Sequence, residues 1–396
     1  MASPHATLPK IATSLGTVYV ADRSQIGQCA SWQRAFSGNR KDRRYYEIVE
    51  DTIRQDFDYR YFVLEDKQGE VRAVQPFFLL HQDLLQGSNQ KLQRFAATVR
   101  KVFPRAMTIR TLMVGCAAGE GHLDRTSDEQ AQWVAQCLHE ALTKYARSVR
   151  ARMVVLKEFP AKYREPLACF SANGYTRVPS LPFTRLGIDF ENFEEYMSKV
   201  LSKTTRKDLR RKFRDAAEAA PIELQVIDDV TPYVDEVYPL YLNVYNRSPL
   251  QFEKLTKEYL CRLGREMPDK VRFFIWRQQG KAIALSVCML QGDSIYDEYL
   301  GLDYDVALDL HLYFYTLRDV IEWAMKHGCK WYCSSALNYD PKRRLKCELM
   351  PLDLYVTHTM PLANFVLRRV LPLLEPTRND KILQEFPNYS QVWGGK

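Results

Sequence analysis

The feature that most constrains this chain is an order of predicted elements that occurs twice. In the first half, residues 59–65 and 70–80 alternate as two strands of an antiparallel hairpin. A strand at 107–114 then leads through a glycine-rich turn into a long helix at 127–148. In the second half, strands at 271–277, 282–290 and 295–303 lead into a long helix at 308–327. Each half therefore predicts a mostly antiparallel sheet with helices packed on it.

The other predicted elements extend this plan on both sides. Further strands are expected at 17–21, 152–158, 222–228 and 331–335, an extended segment at 175–188, and helices at 31–38, 41–57, 162–172, 193–218, 234–244 and 253–267. A length of 396 residues exceeds one ordinary hydrophobic core. We therefore expect an α/β (α+β) fold with two tandem domains, 1–190 and 191–396, each a mixed central sheet flanked by helices.

Composition excludes several classes of protein. The longest apolar stretch, 282–290, is less than half of the ~18–20 residues that a membrane-spanning helix needs. Residues 1–16 lack the charged and apolar regions of a secretory signal. These features predict a soluble cytoplasmic protein. The 56 basic and 48 acidic residues give a net charge of +8, which favours anionic partners but makes nucleic acid an unlikely one.

The nine cysteines form no CxxC pair and have no histidine at zinc-ligand spacing. Most lie in apolar runs, as Cys288 does, so reduced and buried thiols are expected. No metal site and no tightly bound cofactor are predicted.

The turn after the strand at 107–114 reads Leu-Met-Val-Gly-Cys-Ala-Ala-Gly-Glu-Gly-His. Its glycines lack a Cβ atom, so backbone N–H groups ahead of a helix can approach an anion closely. A turn that only reverses the chain is the alternative. A dinucleotide-binding GxGxxG turn and a Walker loop are excluded, because the spacing and the Gly-Lys-Ser/Thr sequence are missing.

The order of elements and this turn resemble the GNAT superfamily of acyl-CoA N-acyltransferases. The resemblance implies that acyl-CoA is a co-substrate bound by the first domain, although the loop lacks the family's usual arginine. Its diphosphate would lie against the loop and its pantetheine amide against the strand end. The residues implied in binding are Met113, Val114, Gly115, Cys116, Gly119 and Gly121. The second half resembles the tandem arrangement of Fem-type peptidoglycan transferases.

The corresponding turn of the second half is acidic. Asp303, Asp305 and Asp309 would repel a diphosphate and suit an ammonium group, or they complement the helix dipole. We therefore expect the amine substrate in this half, with Asp297 and Asp303 as binding residues. Arg343 and Arg344, which follow the strand at 331–335, are further candidates for lining the cleft.

Amide formation from a thioester needs a base for the amine and a proton for the leaving thiolate. Glu120 and His122, in the glycine turn, are candidate bases, and so is His311 at the start of a helix. Tyr299 is a candidate proton donor. By the period of two, Asp297, Tyr299 and Asp303 share one strand face and Glu298 lies on the other. Each of these residues also fits a purely structural role.

Three basic segments suggest contact with anionic partners. Residues 203–214 form a basic helix that is either a solvated face or a phosphate contact. Residues 91–105 and 365–374, the latter with Arg368 and Arg369, fit amphipathic helices on an anionic membrane surface, or helices that face the core. Peripheral contact with an inner membrane is therefore an expectation.

The segments 73–78 and 110–121 resemble bacterial GNAT-type proteins of sphingolipid synthesis, the ceramide synthase family. This resemblance implies transfer of a long acyl chain from acyl-CoA to the amine of a sphingoid base. Three alternatives stay open: a Fem-type aminoacyl transferase that uses tRNA, an enzyme for a smaller amine, and a non-catalytic module that binds lipids or partners.

Overall fold

The computed structural model describes residues 8–83, 107–218, 220–248 and 251–394. They divide into two compact units, each built from two pieces of chain. Unit 1 comprises Met1–Ser180 and Pro351–Asn379, and unit 2 comprises Leu181–Met350 and Asp380–Lys396. The expected boundary near residue 190 therefore moves to about 180, and residues 351–379 belong to unit 1 rather than to the second domain.

The strands of the described residues are β1 (Lys10–Ala12), β2 (Gly16–Ala21), β3 (Asp58–Asp66), β4 (Val71–Asp83), β5 (Thr108–Val114), β6 (Met153–Pro160), β7 (Thr176–Pro179), β8 (Phe183–Gly187), β9 (Ile222–Ile227), β10 (Val271–Gln278), β11 (Lys281–Gln291), β12 (Ser294–Leu302), β13 (Trp331–Ser334), β14 (Glu348–Met350) and β15 (Leu352–His358).

The helices are α1 (Arg23–Ile26), α2 (Ala30–Arg34), α3 (Arg43–Thr52), α4 (Asp128–Ser148), α5 (Ala168–Ala172), α6 (Phe193–Val200), α7 (Lys203–Glu218), α8 (Val234–Arg247), α9 (Lys257–Glu266), α10 (Leu312–Lys326), α11 (Tyr339–Arg344), α12 (Pro361–Leu374), α13 (Lys381–Gln384) and α14 (Ser390–Trp393). Within the described parts of the chain, no helix combines the length and the apolar character needed to cross a membrane.

Unit 1 contains an eight-stranded sheet in the order β1-β2-β3-β4-β5-β6-β15-β7. Only β5 and β6 run parallel, and α4 connects them. The helix begins at Ser127, whose side chain accepts a hydrogen bond from the Gln130 N–H, and acidic residues follow in its first turn. Its apolar stripe packs into one core with the sheet.

Unit 2 repeats the plan with a seven-stranded sheet in the order β14-β8-β13-β12-β11-β10-β9. Its one parallel pair is β12 and β13, connected through α10. Both sheets are thus mixed and mostly antiparallel, which confirms the predicted fold class.

Two predictions about local structure were wrong. The segment 175–188, expected as one extended element, breaks into β7 and β8, which lie in different sheets. The expected helix at 193–218 is two helices, α6 and α7, because Leu201 has an extended backbone. Residues 84–106, which include the amphipathic segment at 91–105, lie outside the described residues.

Candidate active site

The loop after β5, here called the Gly115–His122 loop, packs against other residues of unit 1. Cys116, Ala117 and Ala118 are at most 1% exposed. The Gly115 N–H donates to the Pro76 carbonyl at 3.3 Å, and the Gly121 N–H donates to the Glu158 carbonyl at 3.1 Å. A neighbouring cavity of about 10 Å³ has room for about one water molecule. In this structure the loop is therefore closely packed, and this cavity is too small for a diphosphate.

The glycines of this loop face protein atoms. A Cβ at Gly121 would lie 2.5 Å from the Lys157 carbonyl oxygen and 2.7 Å from the Phe159 ring. A Cβ at Gly119 would overlap the Lys41 ammonium. The small residues thus allow close packing, which favours the structural alternative, and phosphate binding by these glycines stays a prediction.

Met113 and Val114 are not available to a pantetheine amide in this structure. Their backbones pair on one side with β4 and on the other with β6. A ligand would have to break one of these ladders to form its own hydrogen bonds. The predicted pantetheine contact therefore does not fit β5.

Glu120 lies in a buried ion cluster. Its carboxylate is 2.6 Å from Arg40 Nη2, 2.6 Å from Lys41 Nζ and 3.0 Å from His122 Nε2. Burial favours the neutral acid, but the charges of Arg40 and Lys41 outweigh it and hold the pKa of Glu120 well below its usual range. Burial also lowers the pKa of His122. A carboxylate held this firmly is a poor base, so the cluster fits a structural role better than the catalytic one predicted for Glu120 and His122.

Cys116 is fully enclosed in the same loop. Burial raises the pKa of its thiol to about 12, which disfavours a nucleophilic thiolate. All nine cysteines of the chain are free.

In unit 2 the parallel strands part at Asp297. The pairing of β12 with β13 runs from Ser294 to Asp297, which lies opposite Ser334, while β12 continues to Leu302 beside β11. A bulge accompanies this point, because Asp297 pairs with Cys288 and Tyr299 with the neighbouring Val287. Glu298 is the inserted residue.

The bulge overturns one predicted arrangement. Partners on adjacent strands point to the same side of a sheet, and neighbours along a strand point to opposite sides. Asp297 therefore lies on the Cys288 side and Tyr299 on the Val287 side, not on one face as the period of two predicts. Glu298 is buried, and the Tyr299 hydroxyl donates to Glu253 Oε1 at 3.3 Å.

Asp297 is the centre of a polar cluster, here called the Asp297 cluster. Tyr332 donates to its Oδ2 at 2.8 Å, and Ser286 donates to its Oδ1. Burial raises the pKa of the Asp297 carboxyl despite these two hydrogen bonds. The residue nevertheless keeps part of its surface exposed. This combination suits a group that accepts a proton more readily than an ordinary carboxylate.

Lys342 on α11 interacts with Asp297 through its charge. It is 4% exposed, and its ammonium donates to the Ser335 carbonyl at 2.5 Å. Burial lowers its pKa to about 8, although the charge of Asp297 acts in the opposite direction. Lys342 is therefore a cation that can lose its proton under mild conditions.

The remaining predicted residues have partners of their own. Asp303 accepts from Lys281 at 2.7 Å, Arg343 pairs with Asp340 and Glu385, and Arg344 pairs with Asp208. His311 lies 3.6 Å from Asp215, immediately before α10. No contact joins these residues to the Asp297 carboxyl, among the contacts described for that group.

Sequence reasoning missed Ser286, Tyr332 and Arg40, and beside Arg343 and Arg344 it assigned no catalytic role to Lys342. Arg40 is far in sequence from Glu120, and Tyr332 lies 35 positions from Asp297, so no spacing indicates these two contacts. The one available signal was the polar Ser286 within the apolar run of β11.

The comparisons place an acyltransferase signature on unit 2. Residues 203–343 match the family described as Acetyltransferase (GNAT) domain. This range contains Ser286, Asp297, Tyr332 and Lys342. The match lies within unit 2 and, together with the fold, supports an acyltransferase of the GNAT type.

A curated relative and two solved structures are also similar. Putative 8-amino-7-oxononanoate synthase 2 of Mycobacterium tuberculosis is 22% identical over 358 residues, covering 87% of this chain and 46% of that protein. The chain thus spans about half the length of the curated relatives it matches. The structure of FemX is 10% identical with a TM-score of 0.52, covering 89% of this chain and 99% of that chain. L-PGS from Bacillus licheniformis is 12% identical with a TM-score of 0.49, covering 87% and 99%. The likeness to FemX establishes the fold alone.

Proposed function

We propose that this protein is an acyl-CoA-dependent N-acyltransferase that forms an amide on a long-chain amine, a sphingoid base, as ceramide synthases do. The observation that carries the proposal is the Asp297 cluster, which lies where β12 and β13 part and within the residues that match the GNAT acetyltransferase domain. We therefore assign the thioester to unit 2 and not to the Gly115–His122 loop.

In the proposed reaction, the amine nitrogen attacks the thioester carbonyl carbon, the C–N bond forms and the C–S bond breaks. Asp297 accepts the proton that the amine releases, because its raised pKa makes it a stronger base than an ordinary carboxylate. The Lys342 ammonium supplies the proton to the leaving thiolate. Tyr332 and Ser286 hold the Asp297 carboxyl in place through their hydrogen bonds.

Two further observations support an amine acceptor over tRNA. Three of the seven cations of α7, which suggested a phosphate contact, are paired with acids: Lys212 with Asp208, Arg211 with Asp215, and Arg210 with Glu194. This pairing weakens the field that a nucleic acid would need. The curated relative is named for the synthesis of 8-amino-7-oxononanoate, a compound that carries an amine.

The test is an acyl-transfer assay with palmitoyl-CoA and sphinganine, in which thiol release and the amide product are both measured. We expect an amide that requires both substrates. Asp297→Asn lowers kcat by about 100-fold or more, because the base is lost. Asp293→Asn, which changes an exposed acid in the turn before β12, is the matched control and keeps full activity.

Other outcomes distinguish the alternatives. Saturable palmitoyl-CoA binding without thiol release, across a panel of amines, would favour a non-catalytic module. Transfer from aminoacyl-tRNA, with a steep loss of activity as salt increases, would favour a Fem-type transferase. Full activity in Asp297→Asn would reject the assignment of the base.

A further inference from the structure

The outer face of α12 exposes an unusual number of large apolar side chains. Of the ten exposed large apolar side chains in the described residues, seven lie between Met360 and Leu374. Leu362 is 76% exposed and Leu374 is 71% exposed. The α12 face consists of Leu362, Phe365, Val366, Val370, Leu373 and Leu374. Soluble surfaces seldom carry apolar groups at this density unless they bind something.

The orientation of α12 is fixed from its inner side. The Asn364 amide donates to the Gly174 carbonyl at 2.8 Å, and its oxygen accepts from the His358 N–H at 3.0 Å. None of the helix residues is buried. Asn364 and the half-buried Leu367 and Leu371 thus lie on the inner side, while the α12 face points outward. The helix is apolar on both sides, unlike the usual amphipathic surface helix.

The charges on α12 have one sign. Arg368 and Arg369 lie on the helix, and Pro361–Leu374 contains no acidic residue. The Arg369 guanidinium lies 3.6 Å from the centre of the Phe365 ring, so its aliphatic part covers apolar surface while its charge stays at the rim. Arg152 contacts Met360, just ahead of the helix, and adds a further cation.

We infer that the α12 face docks unit 1 onto the surface of an anionic lipid bilayer. Apolar groups flanked by arginines suit insertion at the level of lipid headgroups, where the acyl chains accept the apolar groups and the phosphates attract the cations. A second copy is a poorer occupant, because a two-fold interface would bring the same face from both copies together and place like charges close to each other. The inference concerns binding alone and is independent of the proposed reaction.

The test is flotation of the full chain with vesicles of phosphatidylcholine alone, or of phosphatidylcholine mixed with phosphatidylglycerol. We expect binding to the anionic vesicles that weakens as salt increases. The double variant Phe365→Ser/Leu373→Ser reduces partitioning by about tenfold or more, because two anchoring side chains are lost. Arg368→Gln/Arg369→Gln reduces binding and its dependence on salt.

The matched control is Leu308→Ser, which removes a leucine that is 80% exposed in unit 2. It binds vesicles as the unchanged protein does. Circular dichroism and thermal melting establish that each variant is folded. Equal binding of Phe365→Ser/Leu373→Ser and the unchanged protein would overturn the inference. A lipid-free dimer that this variant dissociates would also overturn it, by assigning the face to a second copy.

Discussion

Tyr332 donates its hydroxyl to Asp297 Oδ2 over 2.8 Å, at the end of the paired part of β12 and β13. This hydrogen bond stabilises the carboxylate and opposes the effect of burial on its pKa. The strength of the proposed base is therefore set by a residue on the neighbouring parallel strand.

Tyr332→Phe should move the acidic limb of the pH–rate profile. Removing the hydrogen bond raises the pKa of Asp297 further, and a base acts only when ionised, so activity should appear at higher pH. We expect a shift of about half to one pH unit, measured as kcat between pH 4 and pH 9. Tyr304→Phe, which changes a tyrosine in the turn after β12, is the control and leaves the limb in place. If the acidic limb of Tyr332→Phe does not shift, the ionisation of Asp297 does not control kcat.

Lys342→Met should remove the alkaline limb of the pH–rate profile, the fall in kcat at high pH. Because burial lowers the pKa of Lys342 to about 8, a step that uses its ammonium slows as pH rises through about 8. The variant should have a lower kcat that no longer falls in this range. Lys346→Met, at an exposed position nearby, should retain the limb. A limb that persists in Lys342→Met would assign it to another group, such as the amine substrate.

Glu120→Gln should destabilise unit 1 rather than slow catalysis. The change leaves Arg40 and Lys41 buried without their counter-charge, which costs about 3–5 kcal/mol in the free energy of unfolding. Denaturant titration measures this loss. Glu348→Gln breaks an exposed ion pair with Arg185 and should cost less than about 1 kcal/mol. A stable Glu120→Gln with a greatly reduced kcat would restore Glu120 as a catalytic candidate.

The Glu120 cluster also predicts a pH dependence of stability. The pKa of Glu120 is lowered in the folded protein, so its contribution is fully present above the pKa of the unfolded chain, near 4.5. The contribution is lost only as pH falls toward the lower pKa of the folded state. The acid side of the stability profile should therefore flatten in Glu120→Gln.

Gly121→Ala should reduce stability and leave the KM for acyl-CoA unchanged. The added Cβ would meet the Lys157 carbonyl at 2.5 Å, a backbone atom that cannot move aside cheaply. We expect a loss of about 1–3 kcal/mol, measured by thermal or chemical unfolding. Gly38→Ala, where no atom lies within 4 Å of the new Cβ, is the control. A raised KM in folded Gly121→Ala would return the thioester to unit 1.

The elements of the fold were largely predictable, because period and turn residues are local signals. The hairpins, α4 and α10 lie close to their predicted bounds. The exchange of β15 into the first sheet was not predictable, since its pairing with β6 and β7 joins residues about 200 positions apart in sequence. The sequence pattern contains no register information over such a distance.

The candidate site was predictable only in part, for a different reason. Asp297 stood out as an acid within a strand, but the bulge at Glu298 reversed the face of the residues that follow it. The glycine turn suggested an anion site because small residues let a ligand approach the backbone. The same residues also allow close packing, and the sequence does not distinguish the two. Lys41, whose ammonium fills the space at Gly119, decides between the two, and its position depends on the folded chain.

The insertion of β15 between β6 and β7 also constrains when the first sheet can fold during synthesis. During synthesis on the ribosome, the first 180 residues emerge with an inner position of their sheet still vacant. They reach their final hydrogen bonding only after residue 358 has left the exit tunnel. A fragment that ends near residue 190 would leave β6 with an open edge and β7 without the strand it pairs with, and open strand edges are sites for aggregation. The two units of this protein are therefore expected to fold together and not in succession.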